Sequence, residues 1–227
     1  MSLDKPLALT ALTVGPLSLI VTSIAQWMLQ PSGPDPTAVS AAEQFPTAWL
    51  VLGVLSVFGP LVWLAGLPAA VRLAPARGRL ATSIGALTTG AGLAAGIGHL
   101  ALFFGVYGAV AAAQLPSDGT AAMESAADAD ALGNVLLVVF LVCYSLGPIV
   151  LTIGLRIARR VGVWVPIAAV LTAGANLFGG PIAGVVQLVA LAAVWGAILV
   201  AVARDSRGTR RRADAGNHRP ASPCSYA

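Results

Sequence analysis

The sequence predicts an all-α polytopic membrane protein, a six-helix transmembrane bundle with both termini on the cytoplasmic side. Three observations lead to this prediction. The 227 residues are 57% hydrophobic and 10% charged, with a mean hydropathy of +0.85, whereas soluble domains carry roughly 25% charged residues. Long apolar runs alternate with polar connectors along the chain. The basic residues gather at alternate ends of those runs, as they do in multi-spanning proteins.

Six apolar runs are candidate spans, because a hydrocarbon core of ~30 Å needs ~20 helical residues. The third run is too long for one perpendicular crossing and is expected to tilt or to extend past the bilayer. We assign residues 1–203 to the transmembrane domain and residues 204–227 to a basic tail, whose polar composition predicts disorder. The predicted spans are 7–29, 46–71, 80–113, 132–155, 163–180 and 182–203.

The first run, Leu7–Leu29, has an alternative interpretation as a secretory signal peptide. Lys5 supplies a short basic segment before it, and the triplet Ser23, Ile24 and Ala25 resembles a cleavage site. The apolar part of a signal peptide is usually 7–15 residues long. This run is longer, which favours a membrane span.

Charge orients the predicted bundle. The basic residues form four groups that lie on one side if there are six spans: Lys5; Arg72, Arg77 and Arg79; Arg156, Arg159 and Arg160; and Arg204, Arg207, Arg210, Arg211, Arg212 and Arg219. The opposite connectors contain Asp35, Glu43, Asp118, Glu124, Asp128 and Asp130. Basic residues near span ends stay in the cytoplasm. The sequence therefore predicts a multi-pass plasma-membrane protein with cytoplasmic termini.

The arginines have two interpretations. They either anchor the topology or, in the tail around Arg210, Arg211 and Arg212, bind anionic lipid headgroups. The lipid bilayer is thus the predicted partner. Nucleic acid is not predicted, because no aromatic or structured recognition module accompanies the arginines.

Glycine-proline pairs fall near the middle of three predicted spans: Gly15 and Pro16, Gly59 and Pro60, and Gly147 and Pro148. A proline inside a helix removes a backbone donor and frees a carbonyl, which in lipid must find a partner or line a wet cavity. The kinks therefore either tune helix packing or enclose a mid-membrane pocket. The residues that would line the pocket are Thr13, Ser56, Tyr144, Ser145 and His99.

Spans two and four also resemble one another. GPLVWLAGLPAAVR (59–72) and GPIVLTIGLRIARR (147–160) share Gly, Pro, Val, Gly, Leu and Arg at an offset of 88 residues. Such internal repeats occur in transporter folds. Both segments run in the same direction, so a duplication here would be parallel.

The third span is rich in glycine, and Gly92 and Gly96 form a GxxxG motif. Small residues at that spacing let helices approach closely in lipid, either within the chain or across a homodimer seam. His99 lies on the same face and is an ionisable residue inside a span, which is a functional hypothesis by default. The alternative is a neutral histidine bonded to a hydroxyl or carbonyl of a neighbouring span.

The residues that catalysis would need are missing from the predicted spans. Haem held by two histidines needs a second span histidine, and a metal site needs clustered His, Cys or carboxylate ligands. The spans contain neither, and no serine is placed as a nucleophile. We therefore predict no cofactor, no metal site and no enzymatic activity.

The segment GLRIARRVGVWVPIAAVL (154–171), in which arginines precede a Trp-x-Pro entry into the next span, resembles small, uncharacterised multi-spanning integral membrane proteins of actinobacteria. The resemblance implies a multi-spanning fold and transfers no functional residues. Two functions remain open. One is a non-catalytic structural, assembly or envelope-associated component. The other is a small carrier or channel with its pocket at the three kinks.

Overall fold

The computed structural model describes residues 5–29, 37–178 and 180–217, and within those ranges every regular element is a helix. The helices are α1 (Lys5–Met28), α2 (Ala38–Gln44), α3 (Pro46–Arg72), α4 (Arg79–Ala113), α5 (Ser117–Asp128), α6 (Ala131–Ile157), α7 (Trp164–Phe178) and α8 (Gly180–Asn217).

Five of the helices are long and apolar enough to cross a membrane. Their spanning segments are Pro6–Met28, Pro46–Arg72, Arg79–Ala113, Ala131–Ile157 and Gly180–Asp205. The predicted fifth span falls on α7, which has 15 residues and is therefore about 22 Å long at 1.5 Å per residue. By length alone α7 falls short of the ~30 Å hydrocarbon core, so the structure supports a helical membrane bundle and leaves the sixth span open.

Two short helices occupy connectors that separate the long ones. α2 begins with a reciprocal cap, in which Ser40 N–H donates to Thr37 Oγ1 and Thr37 N–H donates to Ser40 Oγ. Such a capping box satisfies two backbone donors at once.

The long helix α6 begins at a cap in which the Asp130 side chain accepts from Gly133 N–H. These caps fix where the chain turns back into the bundle.

Helix α8 continues to Asn217, so residues 204–217 are helical, which differs from the disorder expected for the tail. Propagating an existing helix costs far less than nucleating a new one, and five of the 14 residues in this segment are Arg, which has good helix propensity. Residues 218–227 lie outside the described ranges.

Four of the long helices form two antiparallel pairs. In the α1–α3 pair, Gly15 lies against Trp63 and Gly66 lies against Leu12. In the α4–α6 pair, contacts run from Gly154 on Thr82 to Gly98 on Leu136. Small residues at these crossings bring the helices close together, which in lipid is the main source of association.

Trp63 of α3 joins the two pairs and α8 at the centre of the bundle. It is completely buried. Its ring packs edge-on against Tyr144 of α6, with centroids 6.0 Å apart, and against Trp195 of α8, with centroids 4.6 Å apart. Edge-to-face aromatic pairs contribute about 0.5–1.5 kcal/mol beyond their buried area, so this contact helps to fix how four helices meet.

The bundle has two chemically different ends. At the arginine end, defined by the loops after α3 and α6 and by residues near Asp205, Arg77 lines the same cleft as Arg159 and Arg160. Arg160 donates to Asp205 over 3.0 Å, which brings α8 to this end too. The acidic end is formed by α2, α5 and the last turns of α4, where Val39 and Ala42 of α2 pack on Tyr107, Val110 and Ala111 of α4.

Candidate functional site

The three glycine-proline sites are filled by atoms of neighbouring helices. A Cβ atom on Gly15 would collide with Trp63, one on Gly59 with Ser18, and one on Gly147 with the backbone and Oγ1 of Thr89. Pro16, Pro60 and Pro148 are buried. The sites on α1 and α3 therefore belong to the α1–α3 contact, and the site on α6 belongs to the α4–α6 contact.

The α4–α6 contact forms a seam of small residues. On α4 it uses Thr82, Gly85, Thr89, Gly92 and Gly96. The spacing alternates between three and four residues, which is the pattern of a helix pair packed along its whole length. A Cβ on Gly92 would lie 2.6 Å from the Tyr144 backbone nitrogen, and one on Gly96 would lie 2.7 Å from the Phe140 ring. The predicted GxxxG motif thus faces α6 of the same chain.

The seam threonines bond to their own helices. Thr82 Oγ1 donates to the Gly78 carbonyl over 2.9 Å, and Thr89 Oγ1 donates to the Gly85 carbonyl over 2.8 Å. Both threonines are fully buried. Because each of these hydroxyls is hydrogen-bonded within its own helix, the two threonines offer no free donor to a ligand.

A different environment surrounds Trp63, where four buried polar atoms have no hydrogen-bond partner within the described chain: Trp63 Nε1, Trp195 Nε1, Tyr144 Oη and Ser145 Oγ. Ser145, Tyr144 and Trp195 line a cavity of about 10 Å³ beside Pro148. A single water molecule needs roughly 10–15 Å³. The space therefore holds at most one small polar molecule.

The other predicted pocket residues lie elsewhere. Thr13 is exposed, with its Oγ1 bonded to the Leu9 carbonyl over 2.9 Å, so it lies outside the buried cluster. Ser56 is buried on α3. His99 lies near the acidic end, where its Nδ1 is 3.1 Å from the Gly133 carbonyl of α6. Because a carbonyl only accepts, Nδ1 must carry the proton in this bond.

Two larger grooves open on the outside of the bundle. One lies between α3 and α4 near the acidic end, encloses about 1080 Å³ and is lined by apolar residues such as Phe58, Phe104 and Gly105. The other lies between α7 and α8 at the arginine end and encloses about 980 Å³. Neither groove includes the glycine-proline sites of α1, α3 and α6.

The predicted arginine positions fall at or beyond helix ends. Arg72 ends α3, Arg79 begins α4, and Arg156 lies in the last turn of α6. Basic side chains are favourable near helix C-termini. Arg77, Arg159 and Arg160 share one cleft, whereas Arg210, Arg211 and Arg212 lie in the last part of α8.

The sequence interpretation missed the residues that dominate the interior, chiefly Trp63, Trp195, Thr82 and Thr89. A signal for the threonines was present, because they and Gly85 and Gly92 recur at seven-residue intervals. No comparable signal marks the tryptophans. In a chain this apolar, hydropathy does not separate a buried tryptophan from one that faces lipid.

The fold and this interior define a helical membrane protein in which close-packed helix pairs surround a small polar cluster. Comparisons of the chain with protein-family models, with curated proteins and with solved structures found no match.

Proposed function

We propose that this chain is a six-span plasma-membrane protein with cytoplasmic termini that acts through helix packing, as a non-catalytic structural, assembly or envelope-associated component. The observation that carries the proposal is the filling of all three glycine-proline sites by neighbouring helices. Glycine-proline sites that are packed by neighbouring helices stabilise a scaffold, whereas a carrier needs an accessible pocket at mid-depth.

Six spans are favoured over five by the direction of α7. The Arg160–Asp205 ion pair brings the end of α6 and the basic end of α8 together. α8 must therefore start far from the arginine end, since its apolar segment Gly180–Asp205 has 26 residues and measures about 39 Å. α7 leads from the arginine end to that starting point. The arginines then lie on one side, which the positive-inside rule assigns to the cytoplasm.

Replacing Gly147 with Leu tests the packing role, and Gly105→Leu is the matched control on another helix. A side chain at position 147 collides with Thr89, whereas one at position 105 meets nothing within 4 Å. We expect Gly147→Leu to abolish monodisperse, folded protein in detergent and Gly105→Leu to leave it intact, as measured by gel filtration and thermal unfolding. A Gly147→Leu variant as stable as the control would reject the proposal.

Cysteine labelling tests the orientation. Cys143→Ser leaves Cys224 as a probe of the tail, and Ser125→Cys in a background without Cys143 and Cys224 probes α5 at the acidic end. A membrane-impermeant maleimide added to intact cells should label Ser125→Cys and spare Cys224. Labelling of the tail from outside would overturn the proposed topology.

A second candidate function, the carrier or channel, is favoured by three polar atoms without a partner in the described chain, Tyr144 Oη, Ser145 Oγ and Trp195 Nε1, whose residues line the cavity beside Pro148. Buried polar groups without partners lower the stability of the folded protein. They are expected where a polar ligand binds in another conformation. Ser145→Cys in a background without Cys143 and Cys224 tests this candidate. Reaction with a small methanethiosulfonate reagent in the folded protein supports an accessible pocket, and complete protection rejects it.

A further inference from the structure

The groove at the arginine end exists because α7 leaves part of α8 uncovered. The uncovered face of α8 consists of small or slender residues: Ala192, Ala193, Gly196, Ala197, Val200 and Ala201. A Cβ atom on Gly196 would meet nothing within 4 Å, so the groove is open along its floor. The opposite wall is formed by Trp164 and Val165 at the start of α7. The result is an apolar channel of about 980 Å³.

The mouth of this groove is positively charged. Arg159, Arg160 and Arg204 all line it, together with Asp205. Asp205 accepts from Arg160 over 3.0 Å. Three cationic groups against one anionic group leave an excess of two positive charges, which suits an anionic ligand.

Arg159 occupies a backbone conformation that glycine prefers. Its φ is +57°. It follows the end of α6 in the usual helix-terminating arrangement, in which Arg160 N–H donates to the Leu155 carbonyl over 2.9 Å. A side chain in this conformation costs roughly 1–2 kcal/mol relative to the right-handed form. Arg159 therefore places its guanidinium at the groove mouth at a cost in backbone energy that glycine would avoid.

Trp164 marks the depth of the mouth. Its side chain is 53% exposed, and its ring lies over Gly162 in the loop between α6 and α7. Exposed tryptophans in membrane proteins concentrate at the level of the lipid headgroups. The arginines beside Trp164 are then at headgroup depth, and the small residues of α8 extend from there into the hydrocarbon region.

The length of the groove matches one leaflet. From Ala192 to Asp205 the α8 wall covers 13 residue steps, which is about 20 Å along a helix. Half of the bilayer, headgroups included, is also about 20 Å. A phosphate at the arginines would thus place an acyl chain of the same molecule along Val200, Ala197 and Gly196.

We propose that this groove binds one anionic glycerophospholipid from the leaflet at the arginine end, with its phosphate between Arg159 and Arg204 and an acyl chain on the small face of α8. The site goes beyond the packing role and does not depend on it, since none of its lining residues belongs to the α1–α3 or α4–α6 contacts.

The charge of the site is tested by Arg159→Gly, with Arg79→Gln as a control that removes the same charge outside the groove. Glycine suits the backbone at position 159, so the variant keeps its fold. Each protein is placed in nanodiscs of phosphatidylcholine and phosphatidylglycerol, and co-purifying lipid is quantified by native mass spectrometry. We expect Arg159→Gly to lower phosphatidylglycerol enrichment about fivefold, which corresponds to ~1 kcal/mol per basic residue. A loss no larger than that of Arg79→Gln overturns the proposal.

The apolar part is tested by Gly196→Leu, with Gly174→Leu as the control, because both positions have open space around the added side chain. Gly196→Leu should reduce the bound phospholipid and leave thermal unfolding unchanged, whereas Gly174→Leu should change neither. A shift in oligomeric mass with lipid retention unchanged would identify a second copy of the chain as the occupant and overturn the proposal. Displacement of phosphatidylglycerol by inorganic phosphate alone would also overturn it.

Discussion

The α1–α3 pair and the α4–α6 pair use the same contact register, and they differ in what their glycines touch. Positions of α6 that contact α4 lie 88 residues after the positions of α3 that contact α1. In the α1–α3 pair, Gly59 contacts Ser18, Trp63 contacts Gly15 and Gly66 contacts Leu12. At the equivalent positions of the α4–α6 pair, Gly147 contacts Thr89, Leu151 contacts Gly85 and Gly154 contacts Thr82. The resemblance between spans two and four is therefore accompanied by matching contacts on the helices that they pack against.

The difference lies in the kind of atom that the glycines meet. In the α4–α6 pair, Gly85, Gly92, Gly147 and Gly154 lie against main-chain atoms, such as the Thr82 nitrogen for Gly154, whereas Gly96 and Gly98 meet side chains. In the α1–α3 pair the nearest atoms come from side chains, such as Leu12 for Gly66 and Ser18 for Gly59. Rotation can move Leu12 Cγ and Cδ2 away from Gly66, whereas it cannot move main-chain atoms or the Trp63 Cβ that faces Gly15. We infer that the α1–α3 contact can adjust around Gly66, where the α4–α6 contact at Gly154 cannot.

The largest effect is expected from Gly154→Ala compared with Gly66→Ala, two substitutions at equivalent positions. The new methyl group at 154 meets the Thr82 backbone and the Gly78 carbonyl, so the helices must separate, at a cost of ~3 kcal/mol. At 66 it meets Leu12 Cγ at 2.9 Å, and that side chain can move for under ~1 kcal/mol. The gain in helix propensity is common to both. Equal losses in the free energy of unfolding in detergent would contradict the distinction between the pairs.

An intermediate effect is expected from Tyr107→Phe, which removes the hydrogen bond from α4 of the α4–α6 pair to α5. Tyr107 Oη donates to Asp128 Oδ1 of α5 over 2.6 Å. Hydrogen bonds to charged groups contribute ~1.5–3 kcal/mol. The loss should be local, so amide exchange of residues 117–128 should accelerate while exchange at the α4–α6 seam stays unchanged. Faster exchange at the seam as well would mean that α5 docking supports the pair itself.

The smallest effect is expected from Tyr144→Phe. Position 144 lies 88 residues after Ser56, so the two pairs place a phenol and a hydroxyl at equivalent buried positions. The Tyr144 hydroxyl has no partner within the described chain, and removing an unsatisfied buried group should leave stability unchanged or raise it by up to ~1 kcal/mol. A loss above ~1 kcal/mol in thermal unfolding would show that a molecule in the neighbouring cavity bonds to this hydroxyl.

The sequence predicts the long helices well because bilayer thickness sets their length. The run of apolar residues from Pro46, for example, becomes α3 (Pro46–Arg72). It does not predict α2, whose cap depends on Thr37 and Ser40 within a polar connector. It does place the break between the fifth and sixth spans, at 180–182, beside the start of α8 at Gly180.

The interior was harder to predict than the helices. A membrane helix is apolar on both its lipid face and its buried face, so periodicity cannot separate Trp63, which is fully buried, from Trp164, which is exposed. Gly92 and Gly96 indicated close approach by their spacing, but spacing does not name the partner helix. The pairing with α6 follows from the register of the whole bundle, which only the structure supplies.

The brevity of α7 has a consequence for the surrounding bilayer. In a membrane, the flank of the protein at α7 offers about 22 Å of apolar height, whereas α6 and α8 offer more. Such hydrophobic mismatch is relieved by local thinning of the lipid or by tilting, at fractions of a kcal/mol per Å. The apolar height of the protein surface therefore differs from one side of the bundle to the other. Membranes with a thin hydrocarbon layer should match the α7 side most closely.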